Sequence, residues 1–483
     1  MPRPMPASRS TRSGRSRSIR YRAGYDGSAN RLFGHPVRKE AGRGRCDLVG
    51  AEARHPSRAA MTPGPAGAIS RITAIDAVRG LAVLGILLMN IVAFAMPIAA
   101  YDDPTAYGGA QGADMVAWML AFAVADGKMR GLFTMLFGVS MAIVADGALA
   151  RGADPAVVHY RRMGWLLVIG MLHGTLIWYG DILVEYALTG AILFAAWRWR
   201  PVALFYAAAV LFVADLAMAW INWRDLIALH DRAMQPGARG AVRAAWQAFA
   251  SPDPAPALAE IVGYRGGLAT ISATRLSDLG QLQAGLPIYL IESVGTASLG
   301  LALYRLGYFT RWPAAWHRWL LLAGLAVALP LSLAVAVMIA QSGFAPEAMA
   351  FGAMLSRVLR PAMTLGLASA IILLIEAGPR GWVASRLAAT GRMALSNYLM
   401  TSVVMTTIFY GHGLGLFATL SRAQLYPLVA AMWLAMLLWS KPWLARFQFG
   451  PVEWAWRSLA RWQVQPWRRR QSRARGDIAT DPQ

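Results

Sequence analysis

Continuous apolar blocks recur along most of this 483-residue chain, each near the twenty or so residues needed to cross a hydrocarbon core of about 30 Å. They lie at roughly 78–99, 129–147, 163–180, 182–197, 201–221, 284–304, 319–340, 357–376, 393–410 and 424–440. With no water at that depth, backbone N–H and C=O groups must pair internally, so only helices and closed barrels span. The runs are continuous rather than alternating, which excludes a barrel. They predict an all-α, polytopic helical membrane protein with about ten transmembrane helices. Charged residues make up only 15% of the chain and hydrophobic ones 57%, against about 25% charge in an ordinary soluble domain. Another apolar helix, near 114–125, is broken from the second span by Asp126 and Gly127. It is too short to cross alone and is expected to be interfacial or re-entrant.

The net charge of +22 would suit a nucleic-acid partner, but its distribution argues otherwise. Residues 1–60 carry fourteen Arg and Lys against four acids, and residues 457–483 carry seven against two. Most of the excess therefore sits in two tails outside the spans, the usual place for cytoplasmic retention and attraction to anionic lipid. No helix-turn-helix, zinc or aromatic-basic pattern accompanies it. The expected partner is the lipid bilayer, with no nucleic acid and an undetermined oligomeric state. Arg151, Arg161, Arg162, Arg198, Arg200, Arg305, Arg311, Arg318, Arg380, Arg386, Arg392, Lys441 and Arg446 fall in alternate turns. That places both termini in the cytoplasm.

Residues 1–70 read as a basic disordered tail, 71–460 as the transmembrane domain, and 461–483 as a basic cytoplasmic tail. Met61 is a second candidate start, which would leave residues 1–60 untranslated. Residues 222–283 form one large external insert, too small for a core of its own and placed to act as a lid. Cys46 is the only cysteine, so no disulfide framework or thiolate metal site is expected.

Ionisable groups at membrane depth are expensive and mark candidate sites. His173, Asp181 and Glu185 stand in Gly170–Gly190, an otherwise apolar stretch. A carboxylate there could orient the imidazole as a base or relay, whereas a lone His would read as a buried, hydrogen-bonded core residue. Asp181 and Glu185, four apart, are expected to face the same way. No second His stands at ligand spacing, so no metal is expected. Lys128 and Arg130 follow Asp126 at the start of the second span; Lys128 either snorkels outward or lines an outer cavity, holding an anion or opposing Asp181. Arg71, Asp76 and Arg79 open the first span, as an interface anchor or as an anion site at the inner face. Arg392 and Ser396, expected to share a face, open the ninth with Asn397; Arg392 and Asn397 are candidate substrate-binding residues lining the interior, whereas Ser396 reads as one of the small polar residues that commonly join membrane helices. No P-loop, Rossmann fingerprint, HExxH or nucleophile elbow is present.

Arg71–Asn90, Gly127–Gly138, Gly170–Gly190, Gly300–Gly307, Gly391–Tyr398 and Phe409–Phe417 running on to Arg446–Arg457 together resemble the YeiB family of bacterial inner-membrane proteins, defined by a domain of unknown function. The likeness covers about residues 70–460. It implies a more distant relation to the transmembrane acyltransferases, a group that includes the lysosomal heparan glucosaminide acetyltransferase. Members look like ten-helix bundles that pass an acyl group from cytoplasmic acyl-CoA to an acceptor across the membrane. They carry a catalytic His near the start of the second span, where this chain has Asp126, Lys128 and Arg130. His173 stands in for it by position rather than by motif.

Two functions are therefore expected to compete. In the first, acyl-CoA, a co-substrate rather than a tightly bound cofactor, sits near Arg71 and Arg79. His173, oriented by Asp181, then activates an acceptor held by Lys128, Arg130 and Glu185. In the second, the same polar set couples protons to transport of a small anionic solute. A scaffold without turnover is a third and blander reading.

Overall fold

Proline and glycine decide where this chain turns. The computed structural model describes residues 65–469 apart from 252, 379 and 380, with side chains from Thr73 onward. Cys46 and the N-terminal tail lie outside the described residues. So do Arg380 and the side chain of Arg71. Seventeen helices follow in order: α1 (Pro65–Ala95), α2 (Gly112–Val124), α3 (Lys128–Leu149), α4 (Pro155–Leu176), α5 (Leu183–Leu193), α6 (Pro201–Met234), α7 (Gly240–Ala250), α8 (Ala255–Arg265) and α9 (Leu268–Ala284). The second half holds α10 (Leu286–Leu306), α11 (Ala314–Leu322), α12 (Leu329–Gln341), α13 (Pro346–Ala377), α14 (Trp382–Arg392), α15 (Ala394–Phe409), α16 (Arg422–Arg446) and α17 (Pro451–Arg461). Pro155, Pro201, Pro287, Pro346 and Pro451 stand in the first turns of α4, α6, α10, α13 and α17, where a missing N–H costs nothing.

The fold is an all-α polytopic membrane protein. Among the described residues, seven helical rods are long and apolar enough to cross a bilayer: Thr73–Ala95, Gly112–Leu149, Pro201–Met234, Leu286–Leu306, Ala314–Gln341, Pro346–Ala377 and Arg422–Arg446. Leu183–Ala196 and Ala394–Phe409 are apolar but shorter. With α4 these make ten rods, matching the ten blocks in the sequence. The break at Asp126 and Gly127 is present, Gly127 adopting φ +67° between α2 and α3. The third rod begins at Pro155 rather than near 163, because Asp154 caps it by accepting the Ala156 N–H at 2.8 Å.

α1 is the most enclosed of the seven and packs against α3, α13, α14, α15 and α16. Two contacts set its surroundings. A Cβ on Gly80 would lie 2.1 Å from the Leu387 carbonyl oxygen, and one on Gly391 would lie 1.8 Å from that of Asp76. Between α3 and α10, Cβ atoms on Gly138 and Gly300 would each come within 2.1 Å of a backbone oxygen, of Ala297 and Met135 respectively. Small residues let membrane helices approach this closely, since association there rests on packing rather than on a hydrophobic drive.

The two ends of the bundle differ. At one, Arg162 lies over the Trp456 ring at 4.1 Å, Arg305 donates to the Trp197 and Trp199 carbonyls, and Arg386 donates to the Leu437 carbonyl at 2.8 Å. This is the basic end. Residues 462–468, read from sequence as the start of a tail, fold back here. Trp467 packs on Phe447 and Trp454, and its carbonyl accepts the Gln448 N–H at 3.1 Å.

At the other, the loop end, the insert is bolted down rather than hinged. Tyr264 stacks on Tyr410 at 4.4 Å, Arg265 donates to the Phe417 and Ala418 carbonyls, and Arg275 donates to the Thr175 carbonyl. Glu260 of α8 accepts the Ile98 N–H at 2.8 Å. Burial pushes its carboxyl up to about 7, against the pull of that N–H.

Replacing Gly391 or Gly300 with valine should cost about 1–3 kcal/mol or more, because the opposing atoms are backbone. Thermal melts of purified protein should place both variants well below Gly164→Ala, where nothing lies within 4 Å; equal midpoints would remove this account of the packing. Glu260 binds its proton more tightly folded than unfolded, so its contribution to stability falls as pH rises from about 4.5 to 7. Hydrogen exchange in α8 should accelerate over that window and become pH-independent in Glu260→Gln, after correction for the intrinsic rate.

Candidate functional site

The interior is not solidly packed. A cavity of about 580 Å3 lies between α1, α2, α3, α10, α13 and the segment joining α4 to α5. A second, of about 410 Å3, opens among α1, α3, α4, α5, α14, α15 and α17. Ile86 and Ile182 line both, so the two chambers back onto one wall.

The charge in the larger cavity is organised around Arg130. Its guanidinium reaches Glu185 of α5 at 3.1 Å and Glu292 of α10 at 2.5 Å. Arg360 of α13 continues the chain to Glu292 at 3.4 Å and to Asp126 at 3.1 Å, and Arg357 meets Asp215 of α6 at 3.2 Å. Ser293 also donates to Glu185. Each charge of this network thus has at least one opposite partner, the condition under which charge is tolerated away from water.

His173 and Asp181 meet at the wall. Their Nδ1–Oδ2 distance is 2.7 Å and both side chains are buried. Asp181 also accepts the Val184 N–H at 2.9 Å, so the start of α5 fixes the carboxylate. The chain can place them so because α4 ends at Leu176 and 177–182 is non-helical. Trp178 there stacks on Phe94 at 3.9 Å, and Tyr398 of α15 donates to the Gly180 carbonyl. With Nδ1–H donating to Asp181, Nε2 carries the free lone pair, and Nε2 has no hydrogen-bond partner among the described residues. Asp181 lines the larger cavity and His173 lines neither.

The smaller cavity is mainly apolar but ringed by guanidinium groups. Arg79 pairs with Asp76 at 2.7 Å and donates to Ser140 at 3.0 Å. Arg162 rests on Trp456, Arg457 lies over Phe449 at 4.6 Å, and Arg392 donates weakly to the Gln448 carbonyl at 3.4 Å. These last three make no ion pair among the described residues. Glu453, the other acid lining the chamber, is already engaged by the Leu395 and Ser396 N–H groups and the Ser396 hydroxyl. An apolar chamber edged by unpaired guanidinium groups suits an amphiphile with an anionic end.

Several sequence expectations need correction. Lys128 lines neither cavity and does not oppose Asp181. It is wholly buried, its Nζ donating to the Phe122 carbonyl at 2.6 Å and lying 5.1 Å from that ring. The turn at 125–127 points it back at α2. Asp181 and Glu185 do not share a helical face, because Asp181 precedes α5 and turns to His173 whereas Glu185 turns to Arg130. Asn397 faces no cavity. It donates to the Thr390 carbonyl and Ser440 and accepts from Trp439, joining α14, α15 and α16. Arg392 and Ser396 are separated by a break at Met393. Sequence reasoning also passed over Glu292, Asp215, Arg357, Arg360 and Arg457. The first four interrupt apolar blocks or their margins, the same signal that singled out His173.

The family model for a protein of unknown function (DUF418) matches residues 303–463. The chain is 31% identical over 397 residues to the uncharacterized protein YeiB of Escherichia coli, covering 81% of this chain and 96% of that protein. It is 27% identical over 425 residues to the uncharacterized protein YxaH of Bacillus subtilis, covering 82% and 96%. No solved structure matches it.

Arg130→Met would leave Glu185 without a cation, since Glu292 keeps Arg360, and breaking a buried pair this way costs about 3–5 kcal/mol. The melting midpoint should drop sharply and partly recover when Glu185→Gln is added. A single variant as stable as the wild type would mean that cavity water already solvates these carboxylates.

Proposed function

This chain belongs to the YeiB family of membrane proteins, and we propose that it transfers an acyl group from acyl-CoA at its basic end to an acceptor in the larger cavity. What carries the reading is the pair of chambers set back to back across Ile86 and Ile182, with a His–Asp pair at the wall between them. Arg79, Arg162, Arg392 and Arg457 would hold the phosphates of the donor, and the apolar lining its pantetheine arm and acyl chain. By the distribution of basic residues the basic end faces the cytoplasm, with both termini inside. In bacteria such as those of the two relatives, that membrane is the cytoplasmic membrane (the inner one where there are two), and acyl-CoA is present on its cytoplasmic side.

In the reaction, an acceptor hydroxyl or amine attacks the thioester carbonyl carbon. The new C–O or C–N bond forms, the C–S bond breaks, and CoA leaves as a thiolate. His173 Nε2 takes the acceptor proton and returns it to the thiolate, giving free CoA thiol. Asp181 holds the ring and stabilises the imidazolium meanwhile. Residues 178–182 line the larger cavity and His173 does not, so this non-helical segment must shift for the acceptor to reach Nε2.

A second reading is favoured by the closed wall: a chamber on either side of a barrier also suits alternating access, with His173, Asp181 and Glu185 relaying protons.

Protein in proteoliposomes, given a panel of acyl-CoAs and acceptors, should release CoA thiol. His173→Gln and Asp181→Asn should each slow release by about 10²–10⁴. Arg457→Ala should raise KM for acyl-CoA while leaving kcat nearly unchanged. Solute uptake driven by a pH gradient, with no thiol released by the wild type, would replace acyl transfer with transport.

A further inference from the structure

A third opening bears on what enters the larger cavity. It is a crevice of about 220 Å3 between α3, α6, α10 and α13. Gly127, Asp215, Glu292, Arg357 and Arg360 line both it and the larger cavity. Its other walls are mainly apolar, from Met135, Phe212, Leu216, Leu299 and Leu365, with the hydroxyl residues Thr296 and Thr364 among them. Val213 and Val358 stand at its outer edge, 66% and 57% exposed, on two helices long and apolar enough to span. Exposed valines at that depth face acyl chains rather than water.

From this we infer that the acceptor is a single-chain amphiphile that enters sideways from the bilayer between α6 and α13. Its chain lies in the crevice and its head group among Glu292, Arg357 and Arg360. Three features carry this. A carboxylate in the middle of α6 would be costly beside bare lipid, yet Asp215 lies in a crevice that opens there, which suits a polar head arriving by that route. The crevice is smaller than the 300–1,000 Å3 usual for a whole ligand, so it suits a tail while the adjoining cavity takes the head. That cavity is lined by six carboxylates (Asp102, Asp126, Asp181, Glu185, Asp215 and Glu292) against four guanidiniums (Arg130, Arg357, Arg360 and Arg422). The balance favours a head bearing hydroxyls or an amine over a bare phosphate, and those are the groups an acyl donor modifies.

The inference rests on acyl transfer only in naming the lipid as acceptor; as a lipid-binding site it can be tested alone. The probe is a sphingosine carrying a diazirine in its chain, irradiated with the full chain in nanodiscs without acyl-CoA. Adducts should concentrate on the crevice-lining stretches of α6, α10 and α13 and be competed by unlabelled sphingosine. Leu216→Trp should reduce them roughly tenfold, the scale expected when a tight apolar site is overfilled, whereas Leu434→Trp on exposed α16 should not. Should Leu216→Trp fold poorly, Val213→Trp at the mouth serves the same end. Adducts spread evenly over exposed faces, or undiminished in a folded plugged variant, would overturn the inference. Specific labelling without any acylated lipid would uphold the site and count against the transfer reading. Equal acylation of sphingosine by wild type and a folded plugged variant would do the reverse.

Discussion

Charge held away from water dominates this molecule. Arg130 lies between Glu185 and Glu292, and Arg360 between Glu292 and Asp126, so a chain of alternating charge ties α3, α5, α10, α13 and the turn before α3 together. None of these helices could bury its ionisable residue alone, because an uncompensated charge in a low-dielectric interior is far costlier than any local gain. The network is therefore both a cost and a constraint. It fixes which helices surround the larger cavity, and it leaves that cavity polar in the middle of an apolar bundle.

Packing around the network follows from small residues. Gly138 and Gly300 let α3 and α10 touch backbone to backbone, bringing Arg130 and Glu292 within reach of one another. Gly80 and Gly391 do the same for α1 and α14 beside the smaller cavity. The two chambers are thus framed by close helix contacts, and their common wall includes Ile182 of the non-helical stretch 177–182 between α4 and α5. A helix interruption at membrane depth is tolerated only where protein or a water-lined cavity satisfies the freed backbone groups. Here Tyr398 does part of that by donating to Gly180.

Much of the bundle could be read directly. Each of the ten apolar blocks became a helical rod, and Asp126 with Gly127 broke the chain where expected. Asp154 and Pro155 show why boundaries were less legible: a cap and a first-turn proline extended α4 well before its apolar run. Within the site, the imidazole of His173 and the carboxylate of Asp181 are adjacent in space, while Glu185, assigned to the same cluster, belongs to another. Lys128 and Asn397 were read as lining residues because a polar group in an apolar block looks alike whether it faces a cavity or a neighbouring helix.

Sequence alone determined the solvent of this protein and its secondary structure, because apolar length and period are local properties and a bilayer leaves the backbone no alternative to the helix. It also marked most of the ionisable positions that would need partners. Which partner each one found was decided only in three dimensions. Arg130 stands 55 residues from Glu185 and 162 from Glu292, and no local rule links positions so distant. Helix rotation and backbone approach made those choices, and with them the chambers on either side of Ile86 and Ile182.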